Sequence, residues 1–373
     1  MTKEQYLEKF PKWYESRRHI VIIGAGASIA ALPDGDYYGH RTSCMNDIVK
    51  DVGLEDILNG LHLESHSTNI EDIYSELSER DDCTKIRENI EKAIYDYYSK
   101  IRIPNKLTIY DLLILSLRNK DVIVSFNWDS LLLQAHMRWQ NEIKDLPHLL
   151  FLHGNVGIGV CDTCKLPHPI GQFIYGKDKF ESNVCPKCHG KLRPLTLLYP
   201  VKHKDYNKDP FIKAQWDYLQ SILYNGAITT VFGYKAPASD VEAMQMIKTA
   251  FVKWGENSRQ FDDLEIIERP GFSDEELEES WWQLADFTKH TPLLYHSFFE
   301  SSLARYPRRT IEAAKIYNLD GLFAKSLCQF NVEDLEKDAF ELMDKMKVLF
   351  QKEAMNDYSL EASKTGISYG STE

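Results

Sequence analysis

Residues 18–28, RHIVIIGAGAS, decide the fold that the sequence predicts. Four β-branched apolar residues at positions 20–23 lead into a Gly-x-Gly turn and then into small residues. This pattern predicts a buried strand that ends at a tight turn and continues into a helix. Backbone N–H groups at such a turn favour a phosphate, because a helix N-terminus carries unpaired donors and a positive dipole end. A second interpretation stays open, in which the glycines only permit a tight connection.

Length and composition limit the classes of function. The 373 residues suffice for a large core in one main domain with insertions or a small second domain. With 43% hydrophobic and 27% charged residues, the composition is that of a globular protein. The net charge of -12 argues against nucleic acid as a direct ligand, since such binding needs a basic surface. No apolar run reaches the roughly 20 residues of a membrane span and no signal peptide is evident, so we expect a cytoplasmic protein.

Further apolar segments end in glycine or in polar residues, as the first one does. They lie within 121–129 and 149–155, and at 195–199, 227–232 and 264–267. Apolar strands that alternate with helices predict an α/β fold, a Rossmann-like parallel sheet with helices on both faces. Ligands of such sheets bind at the carboxyl ends of the strands. We therefore expect the functional residues to follow these segments directly.

The remaining regions complete the predicted domain organisation. Residues 1–155 form the first part of the Rossmann domain, with a helical insertion at about 44–106 where apolar residues recur at helical spacing. Residues 156–194 form a small zinc-ribbon module, and residues 195–270 form the second part of the Rossmann domain. Residues 271–373 form a C-terminal helical region, whose aromatic residues suit a core or an oligomer contact.

Four of the seven cysteines form two C-x-x-C pairs separated by 20 residues. The predicted metal ligands are Cys161, Cys164, Cys185 and Cys188. Four thiolates at this spacing predict a structural zinc site with tetrahedral geometry and no position left for water or substrate. His168 and His189 lie nearby in sequence and are expected to be bystanders. Redox chemistry at the two pairs is the weaker alternative.

Five motifs in the chain occur in the order typical of sirtuins, and residues 18–270 resemble that family. Residues 24–28 are similar to its G-A-G-x-S turn, and Pro33 with Asp34 to its Pro-Asp pair. Residues 125–129, SFNWD, resemble its T-Q-N-I-D motif, and His153 with Gly154 resembles its catalytic His-Gly. Residues 231–234 stand where sirtuins carry Gly-Thr-Ser. Within this group, the chain looks most like the sirtuin-like proteins of bacterial antiphage defence systems, which consume NAD.

The resemblance implies that NAD is the substrate and assigns a role to each motif. Asn127 would hold a water molecule or a ribose hydroxyl, and His153 would act as general base, since imidazole titrates near neutral pH. Residues 24–28 would cradle the diphosphate, Asp129 would contact the nicotinamide carboxamide, and Glu268 would bind ribose hydroxyls or be only a solvated glutamate. The full set of NAD-binding residues expected is Gly24, Ala25, Gly26, Ser28, Asp34, Asp129, Gly233, Tyr234 and Glu268.

The activity we expect is that of an NAD hydrolase (an NAD+ glycohydrolase) that releases nicotinamide and ADP-ribose and depletes NAD in antiphage defence. Two departures from the sirtuin deacylases favour this hypothesis. Gly35 and Asp36 stand where deacylases carry Phe-Arg after Pro-Asp, and the Phe-Gly-Glu segment with which deacylases bind the peptide is not evident before Leu198. An NAD-dependent protein deacylase, an ADP-ribosyltransferase and a non-catalytic NAD-sensing scaffold remain the alternatives. The resemblance also implies regulation through assembly, by a homo-oligomer or by a separately encoded partner such as a helicase-like ATPase.

Overall fold

The structure is a computed structural model. It describes residues 16–43, 47–170, 184–199, 206–207, 209–236, 240–252, 263–271, 281, 292–311 and 329–355. The first residues of the predicted C-terminal helical region, 272–280, lie outside the described residues. Within them, no helix is long and apolar enough to cross a membrane.

The described residues contain nine strands. They are β1 (Arg18–Ile23), β2 (Val122–Ser125), β3 (His148–Phe151), β4 (Ile158–Cys161), β5 (Leu166–Pro169), β6 (Arg193–Pro194), β7 (Gly226–Phe232), β8 (Asp263–Ile267) and β9 (Leu293–Tyr295). Six of them form one parallel sheet in the order β3-β2-β1-β7-β8-β9. When these six are counted along the chain, the order is 3-2-1-4-5-6, the arrangement of a Rossmann fold.

The direction in which strands are added to this sheet reverses between β1 and β7. Ile22 of β1 is aligned with Val124 of β2 on one side and with Val231 of β7 on the other. Residues 20–23 are almost completely buried, as a central strand covered on both faces requires. The Gly-x-Gly turn that follows β1 therefore lies at the point where the strand order reverses.

Helices connect the strands and fill the predicted insertion. They are α1 (Ala25–Ala31), α2 (Ile48–Val52), α3 (Glu55–Leu58), α4 (Ile70–Ser78), α5 (Thr84–Tyr98), α6 (Ile109–Leu115), α7 (Leu131–Trp139), α8 (Pro210–Leu223), α9 (Val241–Val252), α10 (Ser302–Arg305) and α11 (Ala339–Met355). Short 3-10 helices span Asp81–Cys83, Phe298–Glu300 and Val332–Glu336. Local sequence explains where several helices begin. At α8, for example, the Asp209 carboxylate accepts hydrogen bonds from the N–H groups of Phe211 and Ile212, and Pro210 occupies the first turn.

Two predicted features of the sheet are wrong. Residues 195–199 form no strand, because their N–H groups turn to separate partners: Leu195 donates to Ile158 and Leu198 donates to His153, each at 2.9 Å. The sheet also continues beyond β8, where we expected it to end and helices to follow. The sixth strand, β9, pairs in parallel with β8, but a run of three residues is too short to predict from sequence.

The fold class is confirmed. A six-stranded parallel sheet of Rossmann-like order is combined with helices, and a separate three-stranded antiparallel sheet, β5-β4-β6, lies beside the four-cysteine cluster. Helices α2 to α5 lie within the region predicted to be a helical insertion.

Candidate functional site at the strand ends

The turn after β1 packs directly against the loop after β7. The N–H of Gly26 donates to the carbonyl of Gly233 at 2.9 Å. A Cβ atom on Gly26 would lie 2.8 Å from Gly233 Cα, and one on Gly24 would lie 2.6 Å from Tyr234 Cβ. Both glycines are therefore required for this close approach. Gly233 itself has a φ of +59°, a conformation that favours glycine.

Asn127, at the end of β2, reaches back to the turn after β1. Its Nδ2 group donates to the carbonyl of Gly24 at 2.8 Å and to Ser28 Oγ at 3.0 Å. Ser28 Oγ in turn donates to Asp129 Oδ2 at 2.7 Å and lies 2.7 Å from the hydroxyl of Tyr110. Four of these five residues belong to the predicted site. The fifth, Tyr110 on α6, has no sequence signal that assigns it a role.

This cluster is buried, and burial changes its acid–base behaviour. Burial raises the pKa of Asp129 above its usual value, although hydrogen bonds from Ser28 and from the Leu131 N–H oppose the shift. The pKa of Tyr110 lies well above its ordinary value because of burial and the neighbouring Asp129 carboxylate. Tyr110 therefore remains a neutral phenol at any physiological pH.

His153 follows β3, and its backbone is held by residues 195–199, the segment predicted to be the fourth strand. Leu198 N–H donates to the carbonyl of His153 at 2.9 Å. Gly154 has a φ of +82°, and a Cβ atom there would lie 2.2 Å from the carbonyl oxygen of Thr196. Only glycine can follow His153 in this arrangement, which gives the His-Gly pair a structural reason.

Two further contacts tie the loop that carries His153 to the loop that carries Asn127. Asn155 Nδ2 donates to the carbonyl of Asp129, and Val156 N–H donates to the carbonyl of Trp128 at 2.9 Å. Asn155 is completely buried, and sequence analysis gave it no role. The loops after β2 and β3 are thus neighbours at the same edge of the sheet.

Aromatic rings fill the space between these loops and the loop after β7. The Phe126 ring stacks on Tyr234 with ring centres 4.2 Å apart and meets the His153 imidazole edge-on at 4.8 Å. Asn127 is 8% exposed and His153 is 5% exposed. Both side chains are therefore largely shielded from solvent in this structure.

Asp34 and Glu268 show no contact with this cluster in the part of the chain that the structure describes. The Asp34 carboxylate is exposed and pairs with Lys106 at 2.6 Å. Glu268 is half-buried, and its carboxylate accepts the N–H of Arg269 at 3.1 Å. Their roles in NAD binding remain predictions.

The four predicted metal ligands lie together. Their Sγ atoms are all within 4.8 Å of one another, with Cys161 and Cys188 at 3.4 Å and Cys164 and Cys185 at 3.8 Å. Zinc–sulfur bonds of about 2.3 Å place the sulfurs of a regular tetrahedron about 3.8 Å apart, so the arrangement fits zinc. The N–H of Cys164 donates to Cys161 Sγ and lowers the pKa of that thiol to about 7, which favours the thiolate. His168 Nε2 also lies 3.5 Å from Cys185 Sγ.

No protein-family profile matches the chain, and no curated protein does. Solved structures of Sir2 proteins do match. A Sir2 homolog in complex with NAD has 14% identity, covers 85% of this chain and 95% of its own, and gives a TM-score of 0.37. A mutant Sir2 homologue in complex with ADP ribose has 12% identity, with 86% and 99% coverage and a TM-score of 0.36. A Sir2 enzyme from a study of mechanism and regulation has 12% identity, with 85% and 100% coverage and a TM-score of 0.35.

Proposed function

We propose that the chain is an NAD hydrolase that cleaves the bond between nicotinamide and ribose. One observation carries the proposal: the Gly24–Gly26 turn lies where the strand order reverses, and the loops with Asn127 and His153 follow the next two strands. Dinucleotides bind across the crevice at this reversal in Rossmann-like sheets, with the diphosphate at the first turn. The same edge therefore offers a place for the dinucleotide and two polar side chains for the chemistry.

The proposed reaction needs only water as co-substrate. The ribose–nitrogen bond breaks with its electron pair going to nicotinamide, and positive charge develops at the anomeric carbon. A water oxygen then bonds to that carbon and its proton passes to His153, which acts as general base. Asn127 holds the water or a ribose hydroxyl through its side-chain amide. The products are nicotinamide, ADP-ribose and one proton.

Binding of NAD requires the loop after β7 to withdraw. The carbonyl of Gly233 accepts the hydrogen bond of the Gly26 N–H, and Tyr234 is stacked on Phe126 beside His153. A diphosphate at the first turn would compete with that carbonyl for the same donor. We infer that this loop controls access to the site, so that activity depends on a trigger or a partner.

The contacts of residues 195–199 support hydrolysis over deacylation. By its resemblance to sirtuins, a deacylase would pair this part of the chain with an acylated peptide through strand addition. Here Leu195 and Leu198 donate their N–H groups to Ile158 and His153, so these donors are already used. We therefore favour water, rather than an acylated peptide, as the acceptor of the ADP-ribosyl group.

Product analysis in the absence of any acceptor protein tests the proposal. NAD incubated with the chain in water enriched in oxygen-18 should give equal amounts of nicotinamide and ADP-ribose, with the label in ADP-ribose. A requirement for an acylated protein would identify a deacylase instead, and label-free ADP-ribose bound to protein would identify a transferase. Asn127→Ala and His153→Ala should abolish the release of nicotinamide. Their matched controls are Asn89→Ala and His62→Ala, which change exposed residues of the insertion and should leave it unaffected.

The low exposure of Asn127 and His153 favours a second candidate, a scaffold that binds NAD without cleaving it. Such a protein would show a rise in its unfolding temperature with NAD concentration, because the ligand binds only the folded state. It would release no nicotinamide under the conditions in which that rise is observed. The two measurements together separate the candidates.

We further propose that NAD cleavage serves antiphage defence in the cytoplasm, under the control of self-association or of a helicase-like ATPase. Exposed apolar side chains in the C-terminal region support self-association: Phe340 is 84% exposed and Val332 is 59% exposed. Size-exclusion chromatography with light scattering measures the oligomeric state. NAD concentrations in infected cells that express the chain or His153→Ala test the biological role.

A further inference from the structure

A buried carboxylate that the sequence analysis left without a role faces the imidazole of His153. Asp240, which directly precedes α9, places Oδ1 3.5 Å from His153 Nε2. The two side chains are 4% and 6% exposed. The charge of a carboxylate at this depth is screened little by solvent, so its effect on the neighbouring imidazole is strong.

The other carboxylate oxygen of Asp240 is fixed by Tyr234. The Tyr234 hydroxyl donates to Asp240 Oδ2, and its ring is held by the stack on Phe126. The indole N–H of Trp281 donates to the backbone carbonyl of Tyr234. Burial and the neighbouring Asp240 hold the pKa of Tyr234 well above its ordinary value, so the hydroxyl stays a donor. One oxygen of Asp240 is thus anchored while the other faces His153.

We propose that Asp240 is a positioning residue for His153. Its carboxylate keeps the proton of neutral imidazole on Nε2, which leaves Nδ1 with the lone pair that a general base needs. When His153 accepts a proton from water, the same carboxylate stabilises the imidazolium that forms. This inference rests on the proposed hydrolase function and adds the group that would orient its base.

Asp240→Asn is the sharpest perturbation, because it removes the charge and keeps the shape. The amide oxygen can still accept from Tyr234, but its NH2 group then faces Nε2 and favours the opposite tautomer. We expect kcat for NAD cleavage to fall at least 100-fold with KM changed less than threefold. Asp240→Glu should restore part of the rate. Asp56→Asn, which removes an exposed carboxylate from the helical insertion, is the matched control and should stay within threefold of wild type.

The pH profile gives a readout that a purely structural role would not move. The titratable groups around this pair are Tyr206, whose ring centre lies 6.3 Å from that of the imidazole, and Tyr234. Glu242 on α9 interacts with Tyr206, and Glu71 on α4 interacts with Tyr234. Loss of the Asp240 carboxylate makes protonation of the imidazole harder, so the acidic limb of the rate profile should move to lower pH. An unmoved limb, or a loss confined to KM, would overturn the proposal.

Nitrogen-15 NMR of the imidazole tests the proposal without turnover. The His153 signal is assigned by its loss in His153→Gln, and we expect the proton on Nε2 in wild type and on Nδ1 in Asp240→Asn. A wild-type proton on Nδ1 would refute the role of Asp240 whether or not Asp240→Asn folds. Absence of NAD cleavage by wild type would instead refute the hydrolase and leave the tautomer result standing.

Discussion

Glu265 should limit the stability of the chain at neutral and alkaline pH. Its side chain lies in the interior on β8, only 3% exposed. Burial raises its pKa from 4.5 to about 7, against the opposing hydrogen bonds from Ser302 and Thr230. A carboxyl group whose pKa is higher in the folded chain favours folding while it is protonated. That contribution is complete below pH 4.5 and is lost as the pH rises through about 7.

The size of this effect follows from the shift. A difference of one pKa unit between the folded and the unfolded chain corresponds to about 1.4 kcal/mol. The raised pKa of Glu265 therefore costs roughly 3 kcal/mol of folding free energy at pH 8 and under about 1 kcal/mol at pH 5. Glu265→Gln removes the ionisation and keeps the size of the side chain. We therefore expect it to stabilise the protein by up to about 3 kcal/mol at pH 8 and far less at pH 5.

The surrounding hydrogen bonds can accommodate the amide. Glu265 Oε2 accepts from Thr230 Oγ1 at 3.0 Å, and that hydroxyl lies 2.7 Å from His19 Nε2. His19 Nδ1 lies 2.8 Å from Thr310 Oγ1, and burial lowers the pKa of His19 to about 3, so its ring is neutral. A neutral ring can move its proton from one nitrogen to the other. Thr230 can then donate its hydroxyl proton to His19 and accept a hydrogen bond from the NH2 group of a glutamine at position 265.

Urea unfolding followed by tryptophan fluorescence at pH 5 and pH 8 measures the effect. Glu88→Gln is the matched control, since it removes the same charge from an exposed position on α5. It should change the unfolding free energy by less than about 0.5 kcal/mol at both pH values. If Glu265→Gln changes the unfolding free energy by the same amount at both pH values, folding does not shift the pKa of Glu265 and the reasoning fails.

Three further outcomes are expected. Gly26→Ala should lower the unfolding free energy in the urea assay by about 1–3 kcal/mol, because its Cβ would lie 2.8 Å from Gly233 Cα. Gly190→Ala is the control: its Cβ would meet no atom nearer than 3.4 Å, so the unfolding free energy should hardly change. Arg138→Met should cost about 3–5 kcal/mol on the same measurement, since it leaves the fully buried Asp111 carboxylate without its ion pair. Mass spectrometry of the native protein should show about one zinc ion per chain, and chelation should lower the unfolding temperature; a metal-free chain of unchanged stability would contradict the structural site.

The sequence predicts those parts of the fold that local pattern determines. The apolar runs of β1, β2, β3, β7 and β8 stand out because each ends in glycine or polar residues, and β1, β2 and β7 are also buried almost throughout. The strand β9 has no such signal, since Leu293–Tyr295 is short and only partly buried. Residues 195–199 carry the pattern of a strand but lack a neighbour in the sheet, which no local pattern can show.

The candidate site was predictable where a motif follows a strand. Asn127, Asp129 and Ser28 meet as expected, because the ends of adjacent parallel strands share one edge. The pairing of Asp240 with His153 is not predictable, since it joins residues far apart in the chain through a specific turn after β7. The buried position of Glu265 has the same origin: a single glutamate in an apolar strand gives no sign of the hydroxyl groups that will face it.

Nicotinamide release measured beside NAD binding tests the central claim most directly. The chain, purified alone and with the products of neighbouring genes, is compared with Asn127→Ala and His153→Ala. We expect the wild type to release nicotinamide, and each variant to bind NAD with similar affinity while its turnover falls at least 100-fold. Turnover by both variants at the wild-type rate, or no release in either wild-type preparation despite NAD binding, would contradict the claim that these two side chains cleave NAD.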